Sequence, residues 1–395
     1  MGTKTKPILL FLAISLVILL RVAVEENGFT TPDSFHYMEA AKSIIEDGDL
    51  RYSLPGDQER YFSLWPAGYP FSIAIVSGLT SLPSLWSSKL VNLLWLSVAF
   101  WFFYRNHPQN AVWLGLAFCT NSLLDIFSYT WSEAGFTVAL LWCSIALHRC
   151  IMNTEAKTLF KTITLVAAGL SMFLYRYVGG FIIGVVGAAS ILMLLKKKHR
   201  KAIQLIVAAA SMALGMSLYF WFIYSQTGHY SGATRLNPDE SFSYLLINLG
   251  QAQLNEFLLI RKIPFPVIDP VAVAFFLLQV LLMLYAFYQA RKVQDWQTQL
   301  QPHTSDSLPL TIALVGMAYW LLVVGLRIFI MKFDTFDFRI LSPASALCLI
   351  ALHAYLAAEH RAPLLQRIQK PITALYLLAL AHGLYKKQLL LLLNG

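Results

Sequence analysis

Charge is what this sequence has least of. Asp, Glu, Lys and Arg together make up 13% of its 395 residues, where a soluble domain carries about 25%. With 57% hydrophobic residues, that scarcity excludes an ordinary soluble fold. Cysteine is scarce too. Cys119, Cys143, Cys150 and Cys348 lie in or beside apolar runs with no metal-ligand spacing, so they read as small buried hydrophobes. No Walker loop, HExxH, GxSxG, kinase motif set or strand-linked GxGxxG occurs, which leaves the familiar nucleotide-driven and hydrolytic chemistries without their residues. Alternating ten-residue segments are missing, which argues against a β-barrel. There is no Asn-x-Ser/Thr sequon, which favours a bacterial cell membrane over the secretory pathway. Linkers, low-complexity tracts and repeats are missing as well, so residues 1–395 are expected to form a single transmembrane domain.

What the chain has in plenty is apolar runs of roughly 18 residues, the signature of membrane-spanning helices. The expected fold class is all-α polytopic, with about eleven transmembrane helices near 7–24, 86–104, 110–125, 131–149, 160–175, 178–195, 202–224, 270–289, 309–330, 342–358 and 372–391. The run 67–82 is short and broken by Gly68, Pro70 and Gly78, so a re-entrant or interfacial helix is expected there. No small-residue cleavage site follows the first run, which is read as a retained span. The net charge of +9 is not a nucleic-acid footprint, because no aromatic-interleaved basic face accompanies it. Its cations cluster in short loops, notably Lys4 and Lys6, Arg105, Arg149 and the 196–201 run. By the positive-inside rule the N-terminus is cytoplasmic, in an inner (plasma) membrane, and the polar loops 25–66 and 225–268 are extracytoplasmic. Arg176, Arg235, Arg261, Lys262, Arg327, Lys332 and Arg339 then fall near the outer boundary, where that bias disfavours them.

The first loop organises the candidate chemistry. Asp33 precedes an amphipathic helix pattern through Phe35, Met38, Ala41 and Ile45, which is expected to lie along the membrane surface. Asp33 reads either as a helix cap or as a carboxylate held at the water–lipid boundary. Tyr37 adds a hydrogen-bonding group; His36 reads as a surface residue. The stretch Trp65-Pro66-Ala67-Gly68-Tyr69-Pro70 is an interfacial anchor or an irregular cavity wall. Glu133 opens an apolar run, where an acid either complements the helix dipole or faces the bundle interior. Arg176 sits in a tight turn, as a snorkelling cation or a phosphate contact. Lys332, Asp334, Asp337 and Arg339 crowd the start of a late span. They either pair with one another or grip an anion.

Taken in order, Pro32-Asp33-Ser34-x-x-Tyr37, the Trp65–Pro70 stretch, Ser132-Glu133, Tyr175-Arg176-Tyr177-x-Gly179 and Phe338-Arg339-Ile340-Leu341-x-Pro343 resemble the GT-C superfamily of polyprenyl-phosphate-sugar glycosyltransferases, in particular its protein mannosyltransferase and aminoarabinose transferase branch. The resemblance implies a membrane enzyme that moves a sugar, with inversion, from a polyprenyl-phosphate donor to a hydroxyl of a glycan, lipid or protein acceptor outside the membrane. It implies that Asp33 acts near the acceptor, as general base or in placing a metal, with the general base the reading adopted. Glu133, an acid opening an apolar span, is expected as the second catalytic acid. Arg339, Arg176 and Lys332 would hold the donor phosphate, and Tyr37, Trp65, Tyr69 and Asp337 would line a substrate cavity. Many members carry two acids where this chain has Asp33-Ser34, and a single carboxylate is a poor divalent-ion site. No metal ligands are therefore assigned, and a divalent cation is the one cofactor the resemblance leaves open. The alternative reading is a lipid or polysaccharide flippase, which transports without breaking a bond.

Overall fold

A computed structural model describes residues 5–54, 56, 58–152, 157–231, 241–267, 269–301, 303, 306–329 and 335–385. The elements in chain order are α1 (Thr5–Val24), α2 (Pro32–Glu46), β1 (Arg51–Tyr52), β2 (Arg60–Tyr61), α3 (Gly68–Thr80), α4 (Ser84–Asn106), α5 (Ala111–Gly115), α6 (Asn121–Ser128), α7 (Glu133–Met152), α8 (Thr158–Tyr175), α9 (Ile182–Leu195), α10 (His199–Thr227), α11 (Phe242–Phe257), α12 (Pro270–Arg291), α13 (Trp296–Gln299), α14 (Ser307–Phe329), α15 (Phe338–Leu356) and α16 (Ala362–Tyr385). The protein is an all-α polytopic, multi-pass membrane protein. Its one sheet among the described residues is the antiparallel pair Arg51↔Tyr61 and Tyr52↔Arg60.

Nine helices among the described residues are long and apolar enough to cross a membrane: α1, α4, α7, α8, α9 with its leading 3₁₀ turn, α10, α12, α14 and α15. A tenth crossing is counted only if α6 and the helical segment before it, Ala111–Cys119, form one span, and the two are bent by 77°. That pair occupies the run expected as a straight helix at 110–125. Thr120, extended between the two halves, caps α6 by accepting from the Leu123 amide. The described residues thus give nine spans, or ten with the bent pair, and the expected count of eleven is not confirmed. α16 covers the start of the eleventh run, but Arg367 and Lys370 sit in its first half, and residues 386–391 of that run lie outside the described residues. The run 67–82 is the short helix α3, too brief to span. The second polar loop is not wholly irregular, because α11 lies within it.

α7 is the hub. Its small residues Ala134, Gly135, Ala139 and Ala146 let neighbours approach, and it packs against α4, α8, α14 and α15 with most of its surface buried. Membrane helices associate through such small positions rather than by hydrophobic exclusion from water. At the periphery, α10 and α12 present Leu214, Leu218, Trp221, Leu277, Leu281 and Leu284 outward, the faces expected toward lipid tails. α2 buries Tyr37, Ala40 and Ala41 on α3 and α4. Four elements then end near each other at one end of the bundle: the N-termini of α2, α7 and α15 and the C-terminus of α8.

Candidate active site

The N-terminus of α2 settles the first ambiguity about Asp33. The N-cap is Thr31, in extended conformation, and Pro32 occupies the first helical turn, where its missing N–H costs nothing. The Thr31 amide donates to Ser34 Oγ at 3.0 Å. Asp33 is therefore not needed for capping, and its carboxylate turns outward to Arg339, whose Nη1 donates to Asp33 Oδ2. Ser34 is fully buried and donates to the Thr130 carbonyl at 3.0 Å.

Arg339 lies in the first turn of α15, which Asp337 caps by accepting from the Ile340 amide at 3.2 Å. Its Nε donates to Glu133 Oε1, so one guanidinium joins two carboxylates 100 residues apart in sequence. Arg176, in the extended link after α8, donates from Nη1 to the same Glu133 oxygen. Four charged side chains from four parts of the chain thus form one cluster. Their exposure is graded. Glu133 has no exposed side-chain surface, whereas Arg339, Arg176 and Asp33 keep 16%, 22% and 26%. Glu133 is the floor and the other three are open above it. Burial works against the charge on Arg176, but the Glu133 carboxylate outweighs it and lifts the Arg176 pKa above its ordinary value. Burial pushes the Asp337 carboxyl up against the pull of Arg339.

Aromatic residues frame the cluster. The Arg339 guanidinium lies 4.7 Å from the centroid of the Trp131 ring, a cation–π contact. Trp131 stacks on Tyr129 at 4.0 Å and donates its indole N–H to Thr31 Oγ1 at 2.9 Å, tying the approach to α7 to the cap of α2. Tyr37 and Tyr69, expected on a cavity wall, are instead fully buried. Tyr37 OH and Ser132 Oγ are 3.3 Å apart, and Tyr69 donates to Asn92 Oδ1 at 3.2 Å. The reason is packing: the two rings meet edge-on at 5.2 Å, and Trp65 lies against Tyr37 at 5.3 Å. Burial, with Glu133 nearby, raises the Tyr37 pKa. His36, half-buried rather than a surface residue, pairs with Tyr52 OH at 2.8 Å. A cavity of about 650 Å³ opens nearby; Ala67 and Gly68 of the expected 65–70 stretch line it, together with Ile44, Phe71, Trp95 and Tyr219, which were not expected there.

Of the other basic residues near this end, Arg261 pairs with Asp269 at 2.8 Å and Lys262 with Asp125 at 3.0 Å. Asp125 also takes Arg21. Lys332 and Arg235 lie outside the described residues. Sequence reasoning did not single out Lys89, Asn92 or Tyr319. Each sits inside an apolar run, and no local signal separates a buried polar anchor there from a snorkelling one.

Among the described residues, no group of three His, Cys, Asp or Glu side chains is placed to hold a metal ion. The donor chemistry of the cluster does not fit a divalent cation either. Asp33 and Glu133 already share a guanidinium, and Arg176 takes the rest of the charge, so a cation there would face two fixed positive groups.

No family model matches this chain, and no curated protein does. It is similar in structure to ArnT from Cupriavidus metallidurans in the apo state, with a TM-score of 0.47 and 12% identity, over 93% of this chain and 78% of that one. The same protein bound to undecaprenyl phosphate gives a TM-score of 0.45 at 12% identity, over 92% and 78%. The Archaeoglobus fulgidus oligosaccharyltransferase tethered to an acceptor peptide gives 0.44 at 12% identity, over 95% of this chain and 55% of that one. At these scores the likeness is to a layout of helices and says nothing about residues or chemistry.

Proposed function

We propose that the protein is a membrane glycosyltransferase that moves a sugar from a polyprenyl-phosphate donor to an acceptor hydroxyl, with inversion, on the extracytoplasmic side of a cell membrane. One observation carries this reading. Asp33, Arg339 and Arg176, from three distant parts of the chain, converge as partly open charges over the buried carboxylate Glu133. Charged side chains at a membrane boundary are costly unless paired and commonly mark functional sites, and these three keep part of their surface open to a substrate.

In the proposed step the acceptor oxygen attacks the anomeric carbon from the face opposite the phosphate. The new glycosidic C–O bond forms as the bond from that carbon to the phosphate oxygen breaks, and the polyprenyl phosphate leaves with the electron pair. Asp33 takes the acceptor proton. Its Oδ1 has no protein partner among the described residues, whereas Oδ2 is held by Arg339. Arg176 donates only to Glu133 there, so its remaining N–H groups are available to phosphate oxygens, a geometry suited to a guanidinium. Arg339 stabilises the same developing charge. Glu133 fixes both arginines beneath the substrate and does not touch it.

The test is transfer by the purified protein in liposomes, using a panel of polyprenyl-phosphate hexoses and pentoses and following release of polyprenyl phosphate. A loss of at least about 100-fold in turnover, with a measurable residual rate, is expected in Asp33→Asn and in Arg339→Ala. Full turnover in both variants refutes the assignment. Movement of intact donor across the bilayer without release of polyprenyl phosphate would establish the flippase instead.

A further inference from the structure

Lys89 is fully buried and has no carboxylate partner among the described residues. It lies on α4 and donates to three oxygens: the Thr130 hydroxyl at 2.7 Å, the Ser128 carbonyl at 2.8 Å and the Phe29 carbonyl at 3.4 Å. An ammonium carries three N–H donors, so these oxygens account for all of them. A buried charge without a counter-ion is costly unless its environment is built for it.

The three oxygens come from two segments that matter to the site. Phe29 stands four residues before Asp33, and Ser128 and Thr130 precede Glu133 by five and three. Phe29 also holds a left-handed backbone, with φ of 56° directly after Gly28 at 59°. A bulky residue pays for that conformation in strain. Its carbonyl is fixed from two sides, by Lys89 and by the Thr130 amide at 3.2 Å. The rest of the same face of α4 grips the same turn. Ser88 Oγ lies 2.8 Å from Thr130 Oγ1, and Asn92 Nδ2 donates to the Tyr129 and Phe127 carbonyls at 2.8 and 3.2 Å. Of these three α4 side chains, Lys89 is the one that donates to both segments.

We propose that Lys89 is a positioning residue: its ammonium clamps the Phe29 and Ser128–Thr130 segments together and so sets the spacing at which Asp33 and Glu133 meet Arg339. The role in turnover rests on the transferase reading above; the clamp itself does not.

Two readouts test it. In liposomes with a polyprenyl-phosphate hexose, Lys89→Met is expected to lose about 30- to 100-fold in kcat, as a misplacement near 1 Å costs, with KM changed less than about threefold. Combined with Asp33→Asn, it is expected to be no slower than Asp33→Asn alone, within about threefold, because two residues acting as one unit are not additive. The second readout needs no substrate. Spin labels at Phe35→Cys on α2 and Leu94→Cys on α4, both exposed, with Cys348→Ser as background, report the distance between the two helices. A narrow distribution that broadens in Lys89→Met is expected. If Lys89→Met does not fold, Thr130→Val removes one clamp oxygen and is expected to shift both readouts the same way. Unchanged turnover, losses that multiply with Asp33→Asn, or an unchanged distance distribution would each overturn the proposal. If the wild type releases no polyprenyl phosphate from any donor, the transferase reading fails and the distance measurement alone decides the clamp.

Discussion

Removing Glu133 is the sharpest test of how the cluster is built. Its carboxylate is fully buried and accepts from two arginines through one oxygen. Glu133→Ala leaves both guanidinium groups without that partner. Deleting one member of a buried ion pair costs about 3–5 kcal/mol, mostly the penalty of the charge left behind. Here Arg176 and Arg339 keep 22% and 16% of their side-chain surface, and Arg339 retains Asp33, so the loss belongs at the low end, about 3 kcal/mol. Glu133→Gln keeps an acceptor oxygen and is expected to lose about 1–2 kcal/mol. The double variant Glu133→Ala/Arg176→Met removes one stranded cation and is expected to regain about 1 kcal/mol over the single variant. Equilibrium unfolding in mixed micelles by SDS titration, followed through the ten tryptophans, ranks the three. If Glu133→Ala lies within about 0.5 kcal/mol of wild type, or the double variant is no more stable than the single one, the carboxylate does not neutralise the arginines and the electrostatic account of the site is wrong.

Other outcomes follow from the same geometry. Asp33→Asn is expected to lose at least about 100-fold in turnover yet less than about 1 kcal/mol in stability, because the pair it breaks is partly solvated; the two assays together separate catalyst from scaffold. Arg339→Lys is expected to behave like a loss variant in the transfer assay, because one ammonium does not reproduce a fork held by Asp33 and Glu133 at once. Gly68→Ala places a Cβ 2.5 Å from the Leu174 carbonyl oxygen, a backbone atom of α8, and a loss of about 1–3 kcal/mol is expected in the SDS titration. Glu256 on α11 is buried and takes a 2.7 Å hydrogen bond from Ser122 Oγ. Burial raises its pKa from 4.5 to about 7, despite the opposing pull of Lys262. The folded state therefore holds a proton that the unfolded chain releases between those values, so stability falls as pH rises from about 4.5 to about 7 and is flat above. Glu256→Gln is expected to remove at most about 3 kcal/mol of that slope; an unchanged slope in the variant would show that Glu256 is ionised throughout.

The membrane architecture was legible in the sequence because apolar length is a local property. The runs at 7–24, 131–149 and 270–289 became α1, α7 and α12 with ends shifted by a few residues. The 77° break after Cys119 was not legible, since an extended Thr120 leaves the hydrophobic pattern unchanged. Nor was the β1–β2 pair, whose strands are two residues each. Within the site, the charged residues could be named because charge is rare near apolar runs. Their pairing could not. Glu133 meets Arg176 and Arg339 across 43 and 206 residues, and only the packing of α7 among α8 and α15 brings them together. The 65–70 stretch was legible in part, since its Ala67 and Gly68 line the cavity. Tyr37 and Tyr69 have the composition of a cavity wall, but their rings fill the contact between α2, α3 and α4.

Ser34 shows how the N-terminus of α2 comes to present one carboxylate, not two, to the arginines. In the sequence it stands where a second acid would complete a cation site. In the fold it faces inward, donating to the Thr130 carbonyl and accepting from the Thr31 amide, with no exposed surface. A carboxylate in that place would be buried against a carbonyl oxygen, with one amide donor for compensation, and the cost of an unpaired buried charge is several kcal/mol. The position therefore selects a small hydroxyl, leaving Asp33 as the only acid that the N-terminus of α2 presents to the cluster. In the step proposed above, that lone carboxylate takes the acceptor proton while the arginines meet the departing anion. The same contact that excludes the second acid also joins α2 to the turn gripped by Lys89, so the cap of one helix, the turn before α7 and the spacing of the two site carboxylates form a single mechanical unit.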